Sequence, residues 1–545
     1  MKNQILEIAK RQYKEIISFF TLVVSTIFTK ELTFLHYNTT SGPDFDKYFV
    51  YLEQNSYLFE ITGREQGIFY YYLNSLNFYR YNEVITSDNF FYYLDKSIQE
   101  TNFLLFVFSL IGFYFLLIHF GFKKRDILVA LTMLNFFPLA IAIRMVFKPE
   151  ILALSFLPWI ILCVELHKKS KKYSYLFLAL PFTVALFAKG SVLGSFGLFF
   201  LLFYLLPILK GDKKKVFLIF ICFVLFASLI SFEDYESNGS NLLQVVHDEK
   251  YNNQAEINFI YKVDFPKLIK SPIKFDHADS FISLTLLDTF GDYFDLYWNE
   301  DSNLFRKHRK ELFLFEESRS IGVPKLDISE RNITFYLQNN TDVYLRPFIS
   351  LILSLLFFIF LFIYIKRQNK FSKFLFAPLL GMSIMIIQSV FGFPSKNYDP
   401  LVGDSIKPYY YGYFLCLGFI FLCIQILNER KKIKLIVLPY ILLILFILGF
   451  PKLNSTEYES GIAQVNSYSS FCKLNKPVIQ LTSDNKDLLQ CETKDRIFSL
   501  NYKEYENYEN FKRQPRVKIF NTIAGFFIIL NSALIIAFSR KEGHF

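Results

Sequence analysis

This sequence has few charged residues for its length and lacks any motif for binding a nucleotide. Asp, Glu, Lys and Arg make up 20% of the 545 residues, whereas hydrophobic residues make up 52%. A soluble protein of this size would need more polar surface. The sequence contains no glycine-rich phosphate loop and no dinucleotide fingerprint, and its 7 histidines show no zinc-ligand spacing. These absences argue against a soluble enzyme, a nucleotide-dependent enzyme and a structural zinc protein.

The sequence contains many long apolar runs. Each is long enough to cross a hydrocarbon core of about 30 Å, so we predict an all-α polytopic membrane protein with about twelve transmembrane helices. The predicted spans are 16–32, 102–120, 126–143, 151–167, 173–188, 191–209, 215–232, 346–365, 373–393, 409–427, 433–450 and 517–538.

The basic residues cluster on alternate connections between the predicted spans. These clusters lie near 10–14, 123–125, 168–172, 213–215, 366–373, 430–434 and 540–541. Short cytoplasmic loops carry such an excess of Lys and Arg, so we predict that both termini are cytoplasmic and that the protein crosses the plasma (bacterial inner) membrane many times. The same clusters account for the net charge of +10 without a nucleic-acid partner.

This topology places the longer segments outside the membrane and divides the chain into five parts. An N-terminal transmembrane module with a first outer loop (33–101) precedes a large outer loop with an interfacial helix. C-terminal transmembrane helices, a small extracytoplasmic domain and a last span with a cytoplasmic tail follow. The predicted boundaries are 1–232, 233–345, 346–450, 451–516 and 517–545.

The first outer loop carries clustered carboxylates. Asp44 and Asp46 are two residues apart, and Glu65 follows in a second acidic patch. Such groups can bind a divalent cation, or one of them can act as a general base. The alternative is a solvated acidic turn, because Gly-Pro-Asp is common in turns.

The stretch Pro43-Asp44-Phe45-Asp46-Lys47-Tyr48 resembles the Pro-Asp-Glu-x-x-Tyr pattern of the GT-C superfamily of membrane glycosyltransferases, in its aminoarabinose and mannosyl transferase branches. The segment from Glu65 to Tyr71 is similar to that family's Glu-Lys-Pro-Pro-x-Tyr-Tyr. The resemblance implies a GT-C-like fold, Asp44 as catalytic acid residue supported by Asp46 or Glu65, and Tyr48 and Tyr71 at the substrate. Gln66 replaces the phosphate-facing lysine of the family, so the role of that lysine either moves to another residue or is absent.

Four cations are candidates for holding a lipid phosphate. Arg144 and Lys148 lie on a short turn, where Lys148-Pro149-Glu150 resembles the family's Arg/Lys-Pro-Glu; Glu150 is therefore a further substrate candidate. Lys189 lies where two apolar stretches meet, and Lys407 precedes Tyr409-Tyr410-Tyr411. Arg and Lys bind phosphate well, but each of these side chains can also be an interfacial charge that reaches the membrane surface.

The middle outer loop and the last one supply the remaining candidates. Asp292 and Trp298 belong to an aromatic and acidic stretch that suits either sugar contact or an interfacial helix. Cys472 and Cys491 share the predicted domain at 451–516, where an oxidising compartment would permit a disulfide; two free thiols are the alternative.

The resemblance to the GT-C superfamily implies an inverting glycosyltransferase. It would move a sugar from a polyprenyl-phosphate donor to a lipid-linked, glycan or protein acceptor on the outer face of the membrane. A divalent ion held by Asp44 and Glu65 is the one cofactor considered. A transporter or lipid flippase, a surface-polysaccharide ligase or polymerase, and a non-catalytic relative remain as alternatives.

Overall fold

The structure, a computed structural model, shows packed helices in the part of the chain that it describes. The described residues are 13, 15–30, 68–81, 84, 90–169, 190–205, 254–270, 272, 277, 279–290, 341–367, 370–391, 408–429, 488–492 and 497–501.

Helices dominate these residues, as predicted. We number them α1 (15–30), α2 (Ile68–Tyr79), α3 (Phe90–His119), α4 (Lys124–Asn135), α5 (Pro138–Met145), α6 (Glu150–Lys169), α7 (Gly190–Phe200), α8 (Phe265–Lys270), α9 (Phe281–Thr289), α10 (Thr341–Lys366), α11 (Ser372–Phe391) and α12 (Gly412–Asn428). Shorter helical turns are π-helical at Leu201–Leu205 and 3-10 at Ile257–Ile260 and Pro408–Tyr411.

One β-hairpin departs from the all-α prediction. Strands β1 (Leu488–Glu492) and β2 (Ile497–Asn501) pair antiparallel, with Cys491 opposite Phe498. The hairpin lies within the predicted domain at 451–516, and Cys472, the predicted disulfide partner of Cys491, is outside the described residues.

Several of the helices suit a membrane by length and composition. Four of them qualify as spans among the described residues: Tyr93–His119, Phe348–Lys366, Ser372–Phe391 and Pro408–Asn428. The pair α4 and α5 makes a fifth if it is counted as one span, although its axis bends by 62°. The remaining spans of the predicted twelve stay predictions.

The side chains of α1 are arranged inside out relative to a soluble helix. Phe20 is 68% exposed, whereas Thr29 is 0% exposed. The buried Ser25 and Thr26 hydroxyls accept hydrogen bonds from the Asn135 side-chain amide at 2.9 and 2.7 Å. Apolar residues that face outward and polar residues that bond between helices are the expected arrangement in lipid. These features, with the long apolar helices, are those of a membrane protein.

Helices α3 and α6 approach closely along small residues. The Ser155 hydroxyl donates to the Leu105 carbonyl at 2.8 Å, and the Ser109 hydroxyl donates to the Leu154 carbonyl at 3.1 Å. A Cβ on Gly112 would lie 2.7 Å from Nε1 of Trp159, so a larger residue there would force the helices apart. This contact fixes α3 beside α6 and, through it, the turn at which α6 begins.

The bend between α4 and α5 follows from Pro138. The sequence predicts one span over 126–143, but α4 ends at Asn135 and α5 begins at Pro138. Proline removes a backbone donor and disfavours the helical conformation in the residue before it; Phe137 is accordingly extended. The bend redirects α5 so that its last turn, with Arg144, points to the turn before α6.

Three cysteines pack inside the helical bundle. Cys163, Cys416 and Cys423 are buried and unbridged, and buried free cysteine packs as a small apolar residue.

Candidate functional site

The turn 146–149 joins α5 to α6. Three charged residues lie close together in the sequence, on this turn or beside it. Val146 leaves the helix in an extended conformation, and the Lys148 amide donates to the Val146 carbonyl at 2.8 Å. Arg144 occupies the last turn of α5 and Glu150 the first turn of α6. A cation at a helix C-terminus and an anion at an N-terminus both complement the helix dipoles, so the local sequence suits this helix–turn–helix.

Arg144 is buried without a hydrogen-bond partner. It is 4% exposed, and none of its three guanidinium nitrogens has a hydrogen-bond partner in the part of the chain that the structure describes. Its Cζ lies 5.0 Å from the centre of the Phe106 ring, a cation–π contact. A buried charge normally requires a partner of opposite sign because its desolvation is costly. The Phe106 ring is thus the contact that the described residues are seen to offer this charge.

Lys148 lies in the same turn and is also buried. Its Nζ is 5.9 Å from the ring centres of both Tyr409 and Tyr410. These tyrosines precede α12, and a Cβ on Gly412 would lie 2.6 Å from Cδ1 of Ile143 in α5. The tertiary structure thus places the 408–411 segment, whose preceding residue is Lys407, directly against the turn.

Helix α2 packs against Phe147 of the same turn. The rings of Tyr70 and Tyr71 lie 5.6 and 5.5 Å from the ring of Phe147, and both tyrosines are fully buried. The Tyr70 hydroxyl lies within electrostatic reach of Glu150, and burial raises the pKa of Tyr70. The phenol consequently stays protonated and acts as a hydrogen-bond donor.

Asn102 of α3 ties α2 to the turn. Its Oδ1 accepts a hydrogen bond from the Tyr70 hydroxyl at 2.8 Å, and its Nδ2 donates to the Val146 carbonyl at 3.0 Å. Sequence reasoning missed this residue. The available signal was a lone amide side chain next to a long apolar run, since polar residues in such positions often bond between helices.

A second set of contacts clamps the other end of α2 to α3. The Arg80 guanidinium pairs with Glu100 at 2.9 Å, and the Tyr81 hydroxyl donates to the same carboxylate at 2.7 Å. Partial burial, together with the Glu100 contact, raises the pKa of Tyr81 to about 12. The clamp fixes α2, which begins three residues after Glu65.

We name Arg144, Lys148 and Glu150, with Tyr70, Tyr71, Tyr409 and Tyr410, the cationic cluster. Of the residues predicted from sequence, Tyr71 contacts Phe147 of the turn, Lys148 lies beside Tyr409 and Tyr410, and Glu150 lies within electrostatic reach of Tyr70. Arg144 lies four residues before Lys148 in the chain, with its guanidinium over the Phe106 ring. The remaining predicted residues lie outside the described ranges: Asp44, Asp46, Tyr48, Glu65, Lys189, Lys407, Asp292, Trp298 and Cys472.

Within the described ranges, no three His, Cys, Asp or Glu side chains gather into a group that could hold a metal ion. Asp44 and Glu65, the ligands predicted for a divalent ion, are not among these residues.

Substitution of Asn102 by Leu should destabilise the protein by about 1–3 kcal/mol. The change leaves the buried Tyr70 hydroxyl without its acceptor, and one unsatisfied buried group costs about 1–3 kcal/mol; the Val146 carbonyl keeps its bond from the Lys148 amide. Thermal unfolding in detergent micelles measures the effect.

Two variants control this measurement. Tyr70→Phe added to Asn102→Leu removes the stranded hydroxyl and should restore part of the loss. Asn258→Ala, at an exposed amide that bonds Glu256, should change stability by less than about 0.5 kcal/mol. Equal losses for Asn102→Leu and Asn258→Ala would contradict the bridging role of Asn102.

No protein-family model matches the chain, and comparison with curated proteins and with solved structures found no significant match. Function is therefore inferred from the geometry of the cationic cluster and from the residues around it.

Proposed function

We propose that this protein is a membrane glycosyltransferase of the GT-C type that uses a polyprenyl-phosphate-sugar donor, and that the cationic cluster binds the lipid phosphate. The observation that carries the proposal is the buried guanidinium of Arg144, which lacks an anionic partner among the described residues. A phosphate would supply that partner through paired N–H···O bonds.

The charge of the cluster suits a phosphate leaving group. Arg144 and Lys148 contribute two positive charges, and Glu150 contributes one negative charge in the same buried region. When the sugar–oxygen bond breaks, negative charge grows on the phosphate oxygen that leaves. Fixed cations in a dry site stabilise such developing charge strongly.

The chain path supports the assignment of the catalytic base. The GT-C-like segment from Glu65 to Tyr71 ends in the cluster, because α2 places Tyr70 and Tyr71 against Phe147. Asp44 would then remove the proton of the acceptor hydroxyl as it attacks the anomeric carbon, with inversion, and Asp46 or Glu65 would support it.

The proposal includes a location in the cell. Both termini would be cytoplasmic and the cluster would lie on the outer side of the plasma membrane, as the basic connections indicate. The donor would enter sideways from the bilayer, and the acceptor would be a lipid, glycan or protein outside.

The direct test uses the purified protein in nanodiscs. Polyprenyl phosphate should stabilise it against thermal unfolding, by about 2.7 kcal/mol at a hundredfold excess over Kd, whereas the matching polyprenol should not. Labelled sugar should then move from a polyprenyl-phosphate-sugar extract to membrane acceptors. A protein that responds equally to the phosphate and the alcohol would refute the phosphate site.

A transporter is the second candidate, and the bent pair α4–α5 is the observation that favours it. Transporters often place a helix end at their substrate site through a broken span, and α5 ends next to Arg144 after a 62° bend. Uptake of an anionic solute by proteoliposomes, without sugar transfer, would decide for transport.

A further inference from the structure

The segment 254–270 exposes an unusual number of large apolar side chains. Ile257, Tyr261, Phe265 and Ile269 are 66, 68, 58 and 52% exposed, and they recur at every fourth position. A soluble surface seldom shows such a run of large apolar groups together.

The segment is nevertheless firmly attached to the bundle. Phe259 and Leu268 are buried, and the Phe259 ring lies 6.1 Å from that of Phe281 in α9. Asp264 Oδ1 accepts from the Lys267 amide at 2.9 Å and so caps α8. Lys262 pairs with Asp279. The exposed apolar groups therefore belong to a fixed structure with a buried side of its own.

One hydrogen bond sets the depth of the segment. The Ala255 amide donates to the Ser389 carbonyl at 2.9 Å, and Ser389 lies in the last turn of α11, one of the helices long and apolar enough to span a bilayer. The end of a spanning helix marks the level where hydrocarbon gives way to headgroups. The segment therefore begins at headgroup level.

We propose that residues 254–270 lie on the lipid surface, with Ile257, Tyr261, Phe265 and Ile269 inserted among the headgroups and upper acyl chains. An aromatic residue with a polar tip, such as Tyr261, suits this level, and the exposed Lys267 and Lys270 can meet lipid phosphates. Because α9 contacts both this segment and the 408–411 turn, the lipid contact would hold the cationic cluster at headgroup depth. The inference needs only a bilayer around the bundle and does not depend on sugar transfer.

Tryptophan fluorescence in proteoliposomes tests this contact. Trp298→Phe removes one of the two native tryptophans, and Trp159 stays as a buried constant background. In that protein we would introduce Phe265→Trp, with Phe362→Trp on the exposed side of α10 as the lipid-facing reference. The vesicles contain phosphatidylcholine with or without bromine on its acyl chains.

Brominated lipid should remove as large a share of the Phe265→Trp emission as of the Phe362→Trp emission, and iodide in the water should remove little of either. Tyr261→Trp serves as a second position if Phe265→Trp folds poorly. Strong iodide quenching without lipid quenching would overturn the proposal in favour of a water-facing segment. Protection from both quenchers would overturn it in favour of contact with protein.

Discussion

Arg144→Met is expected to make the ligand-free protein more stable while it abolishes stabilisation by polyprenyl phosphate. A buried guanidinium without an anionic partner among the described residues costs free energy that an apolar side chain of similar length does not. Replacement of buried ion pairs by apolar residues of similar volume has raised stability by about 1–4 kcal/mol, and a single buried charge without a counter-ion has no pair attraction to lose. Ordinary core substitutions lower stability instead, so the sign of the change is informative.

The measurement is thermal unfolding with and without polyprenyl phosphate, together with the rate of sugar transfer. Wild-type protein should gain stability from the phosphate, and Arg144→Met should not. Arg144→Lys keeps the charge but loses the forked donor geometry, so it should bind more weakly than wild type and more tightly than Arg144→Met.

Arg80→Met is the matched control. Arg80 pairs with Glu100 and is largely exposed, so its loss should cost no more than about 1 kcal/mol and leave the phosphate response intact. If Arg144→Met were less stable than wild type yet still stabilised by the phosphate, the guanidinium would have a structural role and the phosphate site would lie elsewhere.

Asp44→Asn is expected to lower sugar transfer by about 10²–10⁴-fold, the usual contribution of a general base. The amide keeps the size of the carboxylate but cannot take the acceptor proton. Binding of the donor should persist, because Arg144 and Lys148 are unchanged. Transfer measured with labelled donor in nanodiscs, beside phosphate-dependent stabilisation of the same sample, separates the two effects.

Asp46→Asn and Glu65→Gln show which neighbour supports Asp44. The variant that causes a partial loss identifies the supporting carboxylate. A fully active Asp44→Asn would exclude Asp44 as the base, and full loss in Asp46→Asn alone would transfer the role to Asp46. The simultaneous loss of phosphate-dependent stabilisation would show that the acidic loop acts in binding.

Several features of the cluster were accessible from sequence. The Lys148-Pro149-Glu150 turn was recognised because proline, charge and flanking apolar runs occur together over a few residues. Arg144 was accessible for the same reason. The absence of a hydrogen-bond partner for Arg144 among the described residues was not accessible, since it depends on every group packed around the guanidinium, including Phe106 from another helix.

Other features required the tertiary structure. Asn102 joins Tyr70 to Val146, residues 76 positions apart in the chain, and no local pattern indicates such a bond. The bend of 62° between α4 and α5 is a further such feature, since the span predicted over 126–143 was continuous. The exposure of the apolar side chains in segment 254–270 could not be predicted from sequence, because exposure depends on the groups packed around a residue and not on composition alone.

The sequence by itself determined that this is a helical membrane protein, because the free energy of transfer into lipid accumulates residue by residue along each run. It also determined which short motifs carry charge. The tertiary structure alone decided that the 144–150 turn, the Tyr70–Tyr71 pair and the 408–411 segment meet, and that Arg144 is buried there. Such contacts join helices distant in sequence, and their free energy depends on how side chains from several helices fill one space.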